Sequence, residues 1–232
     1  MNRKYLHTTL KVRHTINLPL VFLFLGIIIS SCGSGTVKTE DELRAYVIDE
    51  SHGLKKRMTR GDIDVEVIYR PTDLIVMQEL HGKMVSEETS NEINELAHRY
   101  GEYHYFVLSY SMGGREALYA GSQDYGQFSE NLQKLAFRMQ EYLYMTTDRR
   151  DTVQLADFYY PRMHGMGTAT QLLLVFSKEA AGDSEVLKLH IKDVGFGTGR
   201  MHFNFDVQDI RKVPRIEQLV KIKEDPETPG NN

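Results

Sequence analysis

Asp62, Asp64 and Glu66 alternate along one short run, and on an extended chain this spacing sets three carboxylates about 7 Å apart on one face. Calcium takes such oxygens, but one flat strand offers few of them and no enclosing loop. The alternative is a solvated face paired across strands with the basic stripe Lys188, His190 and Lys192. Gly195-Phe196-Gly197-Thr198-Gly199 has the glycine content of a phosphate cradle, yet a cradle needs a helix N-terminus after it. The next run, Met201 to Phe205, alternates as a strand, so a flexible hairpin loop is expected. The nine histidines include no H-E-x-x-H or comparable close pair, and no zinc site or other cofactor is expected. Tyr103, Tyr105, Tyr159 and Tyr160 could offer rings for glycan stacking, although aromatic strand residues more often serve packing within a sheet.

The sharpest catalytic candidate is Ser111, in Phe106-Val107-Leu108-Ser109-Tyr110-Ser111-Met112-Gly113-Gly114. The segment resembles the nucleophile elbow of α/β-hydrolases, whose pattern is G-x-S-x-G, with Ser109 standing where the first glycine belongs. The resemblance, over about 25 residues, implies Ser111 as nucleophile and the Met112 N–H as an oxyanion donor. A serine nucleophile also needs a base held by a third group. His190 and His202 fall inside expected strands, leaving His164, and Gly121 would stop the helix that should follow the elbow. Gly113-Gly114 between Tyr110 and Leu118 reads instead as a two-residue hairpin turn, because primed turns need positive φ at both central positions.

A third feature concerns address rather than catalysis. Residues 1–17 carry basic side chains and no acid, and Leu18 to Ile29 form an apolar stretch too short to cross roughly 30 Å of hydrocarbon as a permanent helix. The stretch ends Ile29-Ser30-Ser31-Cys32-Gly33, which resembles the lipobox of bacterial lipoproteins: an aliphatic residue, two small residues and a cysteine. The resemblance implies that Cys32 is acylated, becomes the new N-terminus after cleavage and is acylated again on its amine. Several chains hold far more firmly than one. With Gly33 and no aspartate after the cysteine, the family's sorting habit implies the outer membrane, and the absence of an acidic run there favours its periplasmic face. Gly33 to Lys38 would be a flexible tether of about 20 Å.

Composition bounds the rest. The 232 residues include 28 basic and 32 acidic side chains; without residues 1–31, which hold Arg3, Lys4, Lys11 and Arg13 and no acid, 24 basic and 32 acidic remain, a net charge of −8. Such a chain repels phosphate backbones, which argues against nucleic-acid binding. One cysteine excludes a disulfide scaffold and a thiolate metal cluster. Apolar residues at 41% and charged residues at 26% suit one domain with a real core.

The elements follow from period and punctuation. Thr39-Glu40-Asp41-Glu42 reads as a capping box opening a helix with Leu43, Tyr46 and Val47 inward and Gly53 at its end. Leu54 to Thr59 and Asp62 to Tyr69 read as a hairpin turned at Arg60-Gly61, with Ile63, Val65, Val67 and Tyr69 on one face. Pro71 breaks the strand before a short helix from Asp73 to Leu80. Ser86 caps a helix ending at Gly101, with Ile93, Leu96, Ala97 and Tyr100 inward. Tyr103 to Tyr110 is a strand, and Asp124 to Met145 one long helix with a stripe through Phe128, Leu132, Leu135, Ala136, Met139 and Leu143. Thr152 to Tyr160, Thr170 to Ser177, Glu185 to Lys192 and Met201 to Val207 read as four strands of an antiparallel meander.

The expectation is an α+β fold: a mainly antiparallel twisted sheet, with a C-terminal meander and helices from the first half packed on one face. Residues 1–31 would be a signal peptide, 32–38 a lipidated tether, 39–222 one globular domain and 223–232 a disordered tail. The function expected is that of an envelope lipoprotein held in membrane lipid through acylated Cys32, binding an envelope protein or cell-wall component without catalysis. The alternative is a serine esterase using Ser111.

Overall fold

The alternation that starts at Ile63 folds as its spacing requires. In the computed structural model, which describes residues 35–80, 86 and 89–224, strands β2 (Lys55–Arg60) and β3 (Ile63–Arg70) form an antiparallel hairpin with Arg60 opposite Ile63. Ile63, Val65, Val67 and Tyr69 are all buried. Strand β4 (Tyr103–Met112) lies against β3, and β9 (Thr170–Ser177) pairs with β4 on its other side. The short β8 (Asp157–Tyr159) completes the row β2-β3-β4-β9-β8, and β5 (Arg115–Glu116) folds back on the end of β4.

A second antiparallel sheet contains β6 (Leu143–Thr147), β7 (Thr152–Gln154), β10 (Val186–Ile191) and β11 (Met201–Asp206), in the order β11-β10-β6-β7. The class is α+β and the pairing within these two sheets is antiparallel, but the four C-terminal strands divide between them instead of running as one meander. Ser177 explains part of this: its Oγ accepts the Ala180 N–H, starting the helical turn α7 (Lys178–Ala181), which carries the chain from one sheet to the other. The run expected as one strand from Thr152 to Tyr160 likewise breaks at Leu155-Ala156, and its halves pair in different sheets.

The two apolar faces bury each other. Phe106 of β4 lies 5.0 Å from Phe205 of β11 and 6.1 Å from Phe176 of β9, ring centre to ring centre. Aromatic packing at that range adds to the area removed from water. On the other face of β4, Tyr100 packs edge-on to Tyr105 at 6.1 Å, so helices from the first half reach that face as well as the strand ends. At one end lie α1 (Glu40–Ile48), α2 (Thr72–Glu79), α3 (Ser90–Gly101), α8 (Val207–Arg211) and α9 (Glu217–Glu224); at the other lie α4 (Ala117–Ala120), α5 (Tyr125–Phe137) and α6 (Met139–Tyr142). Among the described residues no helix is long and apolar enough to cross a membrane.

Three expected boundaries moved. The long helix from Asp124 to Met145 ends at Phe137; Arg138 leaves helical dihedrals, and Leu143 to Thr147 becomes β6, with Leu143, Met145 and Thr147 buried. Those residues satisfy a period of two as well as 3.6, and β-branched and aromatic neighbours favour the strand. Helix α3 begins at Ser90 after Thr89, and Ser86 makes a turn ahead of it, its N–H donating to Thr89 Oγ1 at 3.0 Å. The Thr39 cap is formed, but Glu42 reaches back to the Lys38 N–H rather than to that of Thr39. Gly53 closes a 3-10 turn, Glu50–His52, just beyond α1.

The fold also takes up part of the expected tether. Strand β1 (Thr36–Val37) pairs in parallel with β12 (Arg215–Ile216), and the Arg215 N–H donates to Gly35 O at 3.1 Å. Helix α9 runs to Glu224, past the expected start of the tail at 223. Residues 225–232 and 1–34, including the expected signal peptide and Cys32, lie outside the described residues.

Candidate functional site

The clearest concave site lies where β3, β4 and β9 end against the first group of helices. It is a cleft of about 550 Å³. Tyr69, Asp73, His104, Lys178, Arg211 and Arg215 are its polar and charged side chains of note. The turn at Pro71-Thr72 starts α2 and places Asp73 in its first turn, where a carboxylate suits the helix dipole. Asp73 is buried and both its oxygens are engaged. Oδ1 and Oδ2 accept the Arg215 Nε–H at 2.9 and 2.7 Å, and Oδ2 also accepts the Ile216 N–H at 2.9 Å. This pair ties α2 to β12, and through β12 to β1.

Lys178 caps the opposite wall. Its Nζ donates to Gly101 O at 2.7 Å, and its backbone N–H donates to Glu102 O at 3.0 Å. Burial, then the charge of Arg215, lowers the Lys178 ammonium from its usual value. His104 occupies the inward face of β4, which otherwise presents Phe106, Leu108 and Tyr110. Its Nδ1 is buried with no hydrogen-bond partner among the described residues. Burial first, then the Lys178 charge, pushes its pKa down to about 3, so the ring is neutral at physiological pH. Tyr69 packs edge-on to that ring at 6.0 Å, and burial raises its phenol.

None of these four residues, Asp73, His104, Lys178 and Arg215, stands out by sequence spacing, since Asp73 and Arg215 are 142 positions apart. One signal was present: His104 is the polar member of an otherwise apolar alternating face.

Ser111 takes the hairpin alternative. Gly113 and Gly114 have φ of +57° and +73°, Met112 pairs with Arg115, and Ser111 pairs with Glu116 on one side and Asp64 on the other. Ser111 therefore sits half-buried in a strand rather than on a strand-to-helix elbow, and among the described residues no histidine bonds to it. His164 lies in a loop with φ of +54°.

Asp64 and Glu66 of the carboxylate stripe are satisfied within their own hairpin, and Asp62 lies exposed in its turn. Glu66 pairs with Lys55 and Arg57 at 3.0 and 3.1 Å, and Asp64 Oδ1 accepts the Thr59 hydroxyl at 2.6 Å. The expected partners belong elsewhere: Lys188 and His190 are on the second sheet, where His190 stacks on Tyr144 at 4.7 Å, and Lys192 Nζ donates to Glu141 O. The pairing is corrected because β2, not β10, is the neighbour of β3.

Around Gly195, the N–H groups that a phosphate would use are taken. Asp193 Oδ1 accepts those of Gly195, Phe196 and Gly197 at 2.8, 2.9 and 3.2 Å, closing the loop between β10 and β11 on itself. Tyr103, Tyr105 and Tyr159 come together in a second cleft, also about 550 Å³, beside Tyr100 and Phe158. Tyr159 is 64% exposed there, whereas Tyr105 is buried, and Tyr160 lies outside it.

No family model, no curated protein and no solved structure matches the chain.

Proposed function

We propose that the chain is an envelope lipoprotein, acylated on Cys32 and held at the periplasmic face of the outer membrane, whose α+β domain is a non-catalytic binding module. The observation that carries the anchor is the run Ile29-Ser30-Ser31-Cys32, whose isoleucine closes a 12-residue apolar stretch. The fold is compatible with it: the described chain begins at Gly35 and joins β12 beside the cleft formed by Asp73, His104, Lys178 and Arg215. Gly35 is only three positions beyond Cys32 in the sequence, a span of at most about 11 Å when extended. An acylated Cys32 would therefore keep that cleft near the bilayer surface. Binding rather than catalysis is supported by the cleft's composition, in which, among the described residues, the one carboxylate is locked to Arg215 and the one histidine is buried and neutral.

The test is detergent-phase partitioning in cells that process lipoproteins. The wild-type chain should enter the detergent phase and Cys32→Ala should leave it or remain uncleaved. A Cys32→Ala chain that is cleaved normally and still partitions with detergent contradicts the anchor. For the esterase alternative, a fluorophosphonate probe should leave the protein unlabelled; labelling lost in Ser111→Ala would overturn the non-catalytic reading.

A further inference from the structure

The cleft below β3, β4 and β9 is rich in donors and poor in acceptors. Arg215 uses only Nε on Asp73, so both of its terminal nitrogens, with four N–H donors between them, make no bond among the described residues. Lys178 spends one of its three protons on Gly101 O. The buried His104 Nδ1 has no partner among the described residues either. On the acceptor side, Asp73 is the only carboxylate lining the cleft among the described residues, and both of its oxygens are occupied. Lys178, Arg211 and Arg215 against Asp73 leave a net charge of about +2 on the lining. This excess stands in a chain that carries a net −8 once residues 1–31 are removed. Lys178 and Arg215 line the same cleft, and after burial it is the charge of Arg215 that lowers the Lys178 ammonium, a repulsion that an anion between them would relieve.

We propose that this cleft binds a phosphate-type oxyanion, presented either on a lipid headgroup or as a free phosphate compound, with Lys178 and Arg215 as its principal donors and Arg211 at the rim. The inference deepens the reading of the domain as a binding module and names its ligand chemistry. A tetrahedral oxyanion supplies several acceptors within a small volume, which matches the surplus of donors, and Arg and Lys bind it as fork and point charge respectively. The cleft volume of about 550 Å³ admits a group the size of a glycerophosphate headgroup. The headgroup source follows from the short span between Cys32 and β1, which would set Arg215 near the lipid phosphates.

The purified full chain in uncharged maltoside micelles is titrated by calorimetry, in one arm with inorganic phosphate and in the other with monomeric dihexanoyl phosphatidylglycerol. Saturable one-site binding in either arm is expected, and the tighter arm identifies the source. Lys178→Gln should weaken it about ten-fold or more, the worth of one charge-assisted hydrogen bond. Should circular dichroism show that variant unfolded, Arg211→Gln at the exposed rim takes its place, with about three-fold weakening expected. No saturation in both arms, or a folded variant that binds as tightly as the wild type, overturns the proposal. The intact mass of the same sample reads acylation separately. A bare N-terminus with bound phosphate removes the anchor and leaves the cleft assignment standing; an acylated chain that binds in neither arm does the opposite.

Discussion

His104 should make the domain acid-sensitive in a way that one substitution removes. Its imidazole is buried on the inward face of β4, and burial together with the Lys178 charge lowers its pKa to about 3. In the unfolded chain it returns to about 6.5. The sign follows from the protons bound: between about pH 6.5 and 3 the unfolded state holds a proton that the folded state refuses, so stability falls as pH falls. Near pH 5 the unfolded histidine is favoured by about 2 kcal/mol relative to pH 7.5, with a slope approaching about 1.4 kcal/mol per pH unit below that. Urea unfolding of wild type and His104→Phe at several pH values from 7.5 to 5 isolates this contribution, because His190, also lowered by burial and by its Lys188 and His202 neighbours, is common to both proteins. The wild type should lose about 2 kcal/mol more than the variant over that range. A difference between the two that stays flat with pH would refute the burial of a neutral ring at this position.

Asp73→Ala should cost about 2–3 kcal/mol in urea unfolding. Most of this comes from the buried Ile216 N–H left without an acceptor, since Arg215, 40% exposed, can rehydrate; a loss below about 1 kcal/mol would show that α2 and β12 are held by other contacts. Gly195→Ala should destabilise by about 3 kcal/mol, because φ is +113° and an added methyl would overlap Asn131 Oδ1. Thermal melts in an Asn131→Ala background should recover part of that cost, and full persistence there would assign it to backbone strain alone.

Much of the scaffold was readable where one periodicity dominated. Ile63 to Tyr69 admits only a half-buried strand, and Gly113-Gly114 met the dihedral demand of a tight turn, so both appear where the spacing put them. Leu143 to Thr147 failed because its apolar residues fit two periods at once, and only the neighbours β7 and β10 decide between them. Sheet membership was not readable at all: whether Thr170 to Ser177 joins β4 or β10 depends on long-range packing that a local pattern does not encode. The cleft shares that fate. Asp73 and Arg215 become partners only after α2 and β12 are brought together from distant parts of the chain, and Lys178 looked like any surface lysine at the start of a turn.

Intact mass spectrometry of the protein purified from its own membranes, followed by fragmentation of the first peptide, bears most directly on the proposed anchor. A polypeptide starting at Cys32 and heavier than its sequence by diacylglycerol plus an amide-linked acyl chain is the expected result. A chain that begins at any other residue, or one that begins at Cys32 with no added fatty acid, contradicts the anchoring and the placement of the cleft beside the lipid.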